Sequence, residues 1–194
     1  MLPEIEPEGA IPAPVKTQNS LRQFLVDILE TVGLAVVLFL AINAVSARVR
    51  VDGFSMRPTL ENGEFVLVNR LAYRFGEPEH GDIIVFRSPQ VMEDLIKRII
   101  GLPGETVKVE NGIVFINGVA SQEPYIAAKP LYSGEWEVPD GHLFVLGDNR
   151  NDSSDSHSWD FLPVENVIGK AILVYWPLAD WMVIQHNEPA MAAP

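Results

Sequence analysis

The alternation of apolar and polar positions divides the chain into stretches of different character. Residues 1 to about 20 carry Pro3, Pro7, Pro12 and Pro14 with three early glutamates and little that could pack, the composition of a disordered tail. From Phe24 the pattern becomes apolar on all sides. Residues 31–47 contain no charge, and Asp27 and Glu30 stand just before them. These seventeen residues, at about 1.5 Å each, span roughly 26 Å, the short end of a membrane-crossing helix; counting from Phe24 gives roughly 36 Å. A buried core helix and a cleavable signal peptide compete with this reading, since Val45-Ser46-Ala47 offers small residues at a cleavage spacing. The segment ahead of the stretch is acidic rather than basic, and strand-like sequence follows at once, which favours a retained anchor. Lys16 and Arg22 before it, with Arg48 and Arg50 after it, leave its orientation open by charge.

After Ala47 the period falls to two and turn residues punctuate the pattern. This predicts strands over residues 48–52, 64–69, 82–87, 95–101, 106–110, 113–116, 142–146 and 167–175. Asn111-Gly112 predicts a type I′ hairpin, because both residues tolerate positive φ, and Pro103-Gly104 suits a type II turn. Residues 119–139 hold three prolines and few apolar pairs, which predicts a long surface loop. The expected organisation is a tail (1–20), an anchor helix (21–47), a mainly β, antiparallel, barrel-like domain (48–186) and a short tail (187–194).

Composition narrows the function classes. The formal net charge is −12 and the pI about 4.7, which argues against a nucleic-acid partner, since no basic face could outweigh that field. The absence of cysteine removes disulfides, thiol nucleophiles and thiolate metal sites together. At 194 residues the chain suits one domain with a real core and an appendage.

Candidate chemistry begins at Gly53-Phe54-Ser55-Met56-Arg57-Pro58-Thr59-Leu60, a serine in a turn with a proline-fixed exit. A serine hydroxyl is inert near neutral pH unless a base stands beside it. Lys97 is the candidate base. Alternation puts Leu95, Lys97 and Ile99 on one strand face and Ile96, Arg98 and Ile100 on the other, and an aliphatic setting lowers a lysine pKa. Arg98 cannot serve, because a guanidinium keeps its proton. An exposed strand lysine with apolar neighbours remains the plainer reading. Histidine is the other source of a base, His157 in Asp155-Ser156-His157 being the most suggestive; His80 and His186 read as surface residues. The polar run at residues 147–156 fails as a calcium loop. Counted from Asp148 it has Arg150 third, Ser153 sixth and Trp159 twelfth, where a bidentate glutamate belongs. It is either a solvated turn or a set of short polar groups able to orient an amine.

Taken together, these residues resemble the bacterial type I signal peptidases, membrane-bound Ser/Lys proteases of protein export. The likeness covers about residues 51–163 in four motifs in the family's order: the Ser55 turn, Gly81-Asp82-Ile83-Ile84-Val85-Phe86, residues 97–105 from Lys97 to Glu105, and residues 147–156. The resemblance implies Ser55 as nucleophile and Lys97 as general base. It also implies that Ser153 hydrogen-bonds the lysine and Asp155 supports the site, with neither cofactor nor metal. The oxyanion is expected at the Ser55 N–H. Some members add a hydroxyl donor two residues before the nucleophile, where this chain has Gly53. Secretory preproteins with small residues at −1 and −3 are the implied substrates, in shallow pockets at Val49, Val51, Gly53, Met56 and Ile96. Phe54, with Trp136 or Trp159, is expected to dip into interfacial lipid. The implied setting is the bacterial cytoplasmic membrane, crossed once, with the catalytic domain on the outer side beside the export machinery.

The family usually has arginine where His157 stands and glycine where Asp160 stands; Arg98 or His157 is therefore expected to partner Asp155 or Asp148. Self-cleaving repressors share the Ser/Lys chemistry but would bring a helix-turn-helix and no anchor. The endoplasmic-reticulum enzyme has histidine in place of Lys97. An inactive binding module for signal sequences would keep Lys97 charged and remote from Ser55.

Overall fold

The computed structural model describes residues 20–186 and 190–191. The expected tails therefore lie outside the described residues, apart from Ser20, which opens a helix, and 190–191, which form a strand. Two compact units divide the chain, one ending at Ile42 and the other beginning at Asn43.

Helix α1 runs Ser20–Val45. Its segment Leu21–Val45 is 25 residues long with mean hydropathy 2.4, and none of its most apolar window is buried. By length and composition it can cross a bilayer: at 1.5 Å per residue it reaches about 37 Å, against about 30 Å of hydrocarbon. The helix stops two residues earlier than expected. Ser46 and Ala47 already belong to strand β1 (Ser46–Arg50), where they pair with Asn69 and Val68, and Ala47 packs on the core. Ladder hydrogen bonds claim their backbone.

In chain order the remaining strands are β2 (Phe65–Asn69), β3 (Ile83–Arg87), β4 (Asp94–Gly101), β5 (Thr106–Glu110), β6 (Ile113–Ile116), β7 (Val119–Gln122), β8 (Gly134–Glu137), β9 (His142–Leu146), β10 (Leu162–Pro163), β11 (Val167–Trp176), β12 (Met182–Val183) and β13 (Ala190–Met191). They form two antiparallel sheets. One has the order β1-β2-β11-β3-β4-β9-β10, with β12 beside β11; the other runs β13-β7-β6-β5-β8. The mainly antiparallel β architecture and every strand foreseen from the alternation are present, with ends shifted by up to two residues.

The surface loop foreseen at 119–139 is a correction: it contains β7 and β8, which pair with β6 and β5. A second Asn-Gly turn, with φ of 52° at Asn117 and 81° at Gly118, folds β7 back on β6. Both turns foreseen elsewhere form. Asn111 and Gly112 have φ of 53° and 73° between paired strands. Gly104 has φ of 80° while Glu105 N donates to Leu102 O at 3.1 Å.

The central strands are buried on both faces, which explains why Ile83-Ile84-Val85-Phe86 reads as a continuous apolar run. Ile83 and Val85 join a cluster with Val51, Met56, Leu60, Val66 and Ile96, while Ile84 and Phe86 join Ile99, Leu143 and Val145. Met56 and Leu60 thus anchor the Ser55 turn in the core from within the turn itself, and Leu60 N closes a turn on Met56 O at 2.9 Å. Trp136 and Trp159 are partly buried against Phe144 and Phe86, so neither is a free interfacial aromatic as expected. The exposed tryptophans are Trp176 and Trp181; Phe54 is 45 % exposed.

Leu60 is fully buried, so Leu60→Ala is expected to cost about 2–5 kcal/mol through lost burial and the cavity left behind. Urea unfolding of the purified variant measures this. The loss should be accompanied by reduced activity, because the same side chain seats the Ser55 turn.

Candidate active site

Ser55 and Lys97 come from separate elements, the 53–60 turn and β4, and the fold brings them into contact. Lys97 Nζ lies 2.7 Å from Ser55 Oγ. The lysine is 3 % exposed, and burial pulls its pKa down to about 8, with Asp155 and then Asp148 pulling it partly back up. At that value a substantial fraction of the amine is neutral near pH 7.5, against about one in a thousand for an ordinary lysine. The plainer reading of Lys97 as an exposed strand residue is thereby excluded.

Each of the two carboxylates near the lysine is occupied by its own partners. Asp148 receives Arg98 Nε at 2.8 Å and Nη2 at 2.7 Å, a two-pronged pair with both side chains fully buried. Thr59 Oγ1 donates to the same carboxylate at 2.5 Å. Asp155 accepts from Gly147 N at 2.8 Å and lies 2.6 Å from His157 Nδ1. The His157 ring stacks on Tyr132, with centroids 4.0 Å apart. Both pairings left open in the sequence thus form: Arg98 with Asp148, and His157 with Asp155.

The turn carrying Ser55 is stapled to the 147–150 loop. Asn149 N donates to Ser55 O at 3.0 Å, and Asn149 Nδ2 to Phe54 O at 3.2 Å. Gly147 must be glycine, because a Cβ there would collide with Ser55 O and Ser153 Oγ. Gly53 has φ of 104° and open space beside it. Backbone conformation, rather than crowding, disfavours a hydroxyl-bearing residue at that position. Its N–H donates to Asn62 Oδ1 at 2.9 Å. Among the described residues nothing accepts from the Ser55 N–H.

Ser153 departs from expectation. Its Oγ is buried and has no hydrogen-bond partner among the described residues, so the expected bond to Lys97 is not made. The Lys97 amine is directed at Ser55 instead. Two histidines foreseen on the surface are also corrected. His80 lies 2.7 Å from Glu105, and His186 accepts from Ile83 N at 3.2 Å near Asp82. Burial and then the neighbouring Lys170 lower the pKa of His186. Both rings are only about one-fifth exposed.

A groove of about 290 Å³ contains Ser55 and Lys97 and is lined by Val51, Met56 and Ile96 among others. Val49 and Gly53 do not line it; Val49 packs on the core instead. Arg50, Asp52, Glu93 and Asp94, which carried no expectation, form its polar rim. A larger groove of about 650 Å³, around Arg70 and Arg74, holds neither reactive group. Contact between an activatable amine and a hydroxyl, rather than size, picks out the smaller one. Among the described residues no group of three or more acidic or histidine side chains is gathered to hold a metal.

A family profile described as "Signal peptidase, peptidase S26" matches residues 24–176. The chain belongs to this family. It is 43% identical over 175 residues to a "Signal peptidase I" of Leptolyngbya laminosa, covering 85% of this chain and 86% of that one. It is 44% identical over 169 residues to a "Probable signal peptidase I-1" of a Synechocystis species, covering 82% and 86%. To the "Signal peptidase I S" of Bacillus subtilis it is 37% identical over 178 residues, covering 84% and 96%.

As a member of the S26 family the chain is a serine peptidase. Several supports within this S26 site had no assigned role in the sequence. Thr59 and Asn149 lie inside the motifs, yet their partners are 89 and 95 positions away. Arg150 pairs with Glu123 through two bonds of 2.6 and 2.7 Å, and Arg98 lies over the Tyr125 ring at 3.9 Å. Glu123 and Tyr125 sit in the interval expected to be only a loop.

Two outcomes follow from the lysine. If its neutral form is the active one, kcat/KM should rise with pH through a midpoint near 8. Because Asp155 raises the Lys97 pKa, Asp155→Asn should move that midpoint to lower pH; a midpoint that stays in place would show that Lys97 does not set the limb. The folded state also binds this proton more weakly than the unfolded chain. Lys97 therefore lowers stability fully below pH 8, by about 3 kcal/mol, and the penalty fades as pH rises from 8 towards 10.5. Lys97→Met should be inactive yet more resistant to urea at pH 7, with the advantage shrinking at pH 10.

Proposed function

We propose that this protein is a membrane-anchored type I signal peptidase that cleaves signal peptides from secretory preproteins, with Ser55 as nucleophile and Lys97 as general base. The observation that carries the reading is the 2.7 Å approach of a buried, pKa-lowered amine to a serine hydroxyl. Neutral Lys97 takes the Ser55 proton as the hydroxyl attacks the scissile carbonyl. The resulting ammonium protonates the leaving amine, and water activated by the same amine releases the acyl-enzyme. The Ser55 N–H meets the oxyanion as a backbone donor. Ser153 Oγ, buried and uncommitted, is available to the lysine once it carries the proton. Asp148 and Asp155, held by Arg98 and His157, keep that ammonium from being too costly during the reaction.

Selectivity for small side chains at −1 and −3 is steric. Val51, Met56 and Ile96 are each less than 9 % exposed and form a shallow apolar lining beside Ser55, which methyl-sized groups fit. A shortfall of one methylene costs only about 1–3 kcal/mol of preference, so exclusion of large groups matters more than attraction of small ones. Helix α1 anchors the chain in a bilayer, and the β unit works on the outer side, where exported chains emerge beside the export machinery. The anchor occupies residues 21–45, followed by the catalytic domain through residue 186.

The test is cleavage of a secretory precursor by detergent-solubilised protein. Wild type should release the mature chain after the small −1 residue, while Ser55→Ala and Lys97→Ala should each lose at least about 10³-fold in kcat/KM. Equal cleavage by all three proteins would exclude the dyad, and no cleavage by any would point to a binding module for signal sequences.

A further inference from the structure

The β unit contains eight arginines, and their partners divide them into two groups. Arg50, Arg57, Arg87, Arg98 and Arg150 each reach a carboxylate. Arg48, Arg70 and Arg74 have no side-chain ion pair or hydrogen bond among the described residues. In a chain of net charge −12, carboxylates are in excess, so three arginines without one stand out. Two of the three, Arg70 and Arg74, share one groove, and all three lie close in the chain or by a backbone bond to the end of α1. Arg48 follows the end of α1 by three residues, and Arg70 N donates to Val45 O, the last residue of that helix, at 3.0 Å. Arg74 lies in the short helix α2 (Ala72–Phe75) just beyond Arg70.

Arg70 and Arg74 line the groove of about 650 Å³, together with Ala44, Leu71, Tyr73 and Glu165. The Tyr73 hydroxyl is already committed to Asp82 at 2.8 Å, which leaves the guanidiniums as the donors of this groove. Glu165 is its acidic group. Phe75, next to Arg74, is 87 % exposed. A cationic groove at the end of an apolar helix, with an exposed aromatic beside it, matches the interfacial layer of a bilayer, where phosphates, hydroxyls and the first acyl carbons meet.

We propose that this groove binds the headgroup of an anionic phospholipid of the phosphatidylglycerol type. Arg70 and Arg74 hold the phosphodiester, and Glu165 accepts from the headgroup hydroxyls. The apolar lining and Phe75 meet the glycerol backbone and the first methylenes. A free phosphate would satisfy the guanidiniums but leave Glu165 facing an anion and Phe75 facing water; a choline headgroup brings no hydroxyl donor and no net charge. The proposal rests on the reading of α1 as a bilayer anchor. It adds to the peptidase assignment a lipid contact within the β unit.

The test titrates full-length protein in detergent with dihexanoyl-phosphatidylglycerol, dihexanoyl-phosphatidylcholine and inorganic phosphate, and follows bound species by native mass spectrometry. Wild type should bind the phosphatidylglycerol and discriminate against both others. Arg74→Gln should weaken it about fivefold, the value of one guanidinium near an anionic surface, and Arg70→Gln/Arg74→Gln at least tenfold. Precursor cleavage in detergent should be unchanged in both variants, which confirms that they fold. Single Arg74→Gln, on an exposed position, keeps the test open if the double variant is unstable. Unaltered binding by the variants overturns the site. Phosphate binding as well as the lipid reduces it to an anion site, and equal binding of phosphatidylcholine removes the charge recognition; either result overturns the proposal. Carbonate extraction of membranes reports on α1 alone. Release of the chain into the soluble fraction would overturn the anchor and the bilayer placement with it, whatever the precursor assay gives.

Discussion

The arrangement of this protein depends on keeping one amine dry beside one hydroxyl. A lysine with 3 % exposure pays for its desolvation with a pKa lowered to about 8, which leaves a substantial fraction of it as the neutral amine near neutral pH. The site holds two buried carboxylates nearby, and left free they would draw the lysine back to its charged state. Each is instead engaged by other donors: Asp148 by Arg98 and Thr59, Asp155 by the Gly147 N–H and His157. The compensation is incomplete by design of the geometry. Enough residual attraction remains to make an ammonium tolerable, and enough desolvation remains to make it a minority species above pH 8.

Holding that balance requires several elements to be rigid at once. The Ser55 turn is seated from below by Met56 and Leu60 and clasped from the side by Asn149. The 147–150 loop is braced in turn by Arg150, which donates to Gly147 O and reaches Glu123 at the end of the second sheet. The second sheet thus buttresses the 147–150 loop through a buried ion pair. Breaking such a pair from one side typically costs about 3–5 kcal/mol, because the other charge is stranded. Through that pair, the loop bonded to Ser55 leans on the smaller sheet.

Departures from the family pattern have local physical accounts. Gly53, with φ of 104°, occupies a backbone conformation that side chains rarely adopt, so a hydroxyl-bearing residue would be strained in the turn as built here. His157 stands where arginine is usual and still reaches Asp155 at 2.6 Å, with its ring supported by Tyr132. A histidine can hold the carboxylate as a neutral donor or as a cation, whereas arginine holds it only as a cation.

Much was legible in the chain before any contact was known. The charge-free run before Arg48 set a helix, the period-two alternation set the strands, and Asn111-Gly112 set a hairpin, because each depends on the local backbone and on neighbours within a few residues. Ser55 and Lys97 were legible from the residues as a candidate pair, but each also has an ordinary reading, and only the resemblance tipped the balance between the two. The strands β7 and β8 were not recognised: Val119-Ala120-Ser121-Gln122 has no apolar alternation, and Gly134-Glu135-Trp136-Glu137 is mostly polar. Their pairing is dictated by β6 and β5, although Asn117-Gly118 carried the same turn signal as Asn111-Gly112. The partners of Thr59, Asn149 and Arg150 were likewise invisible, being 27 to 95 positions distant. Local sequence decides which backbone can form and which side chains can react. Only the tertiary structure decides which charges meet and which amine loses its water, because desolvation is a property of everything packed around a group.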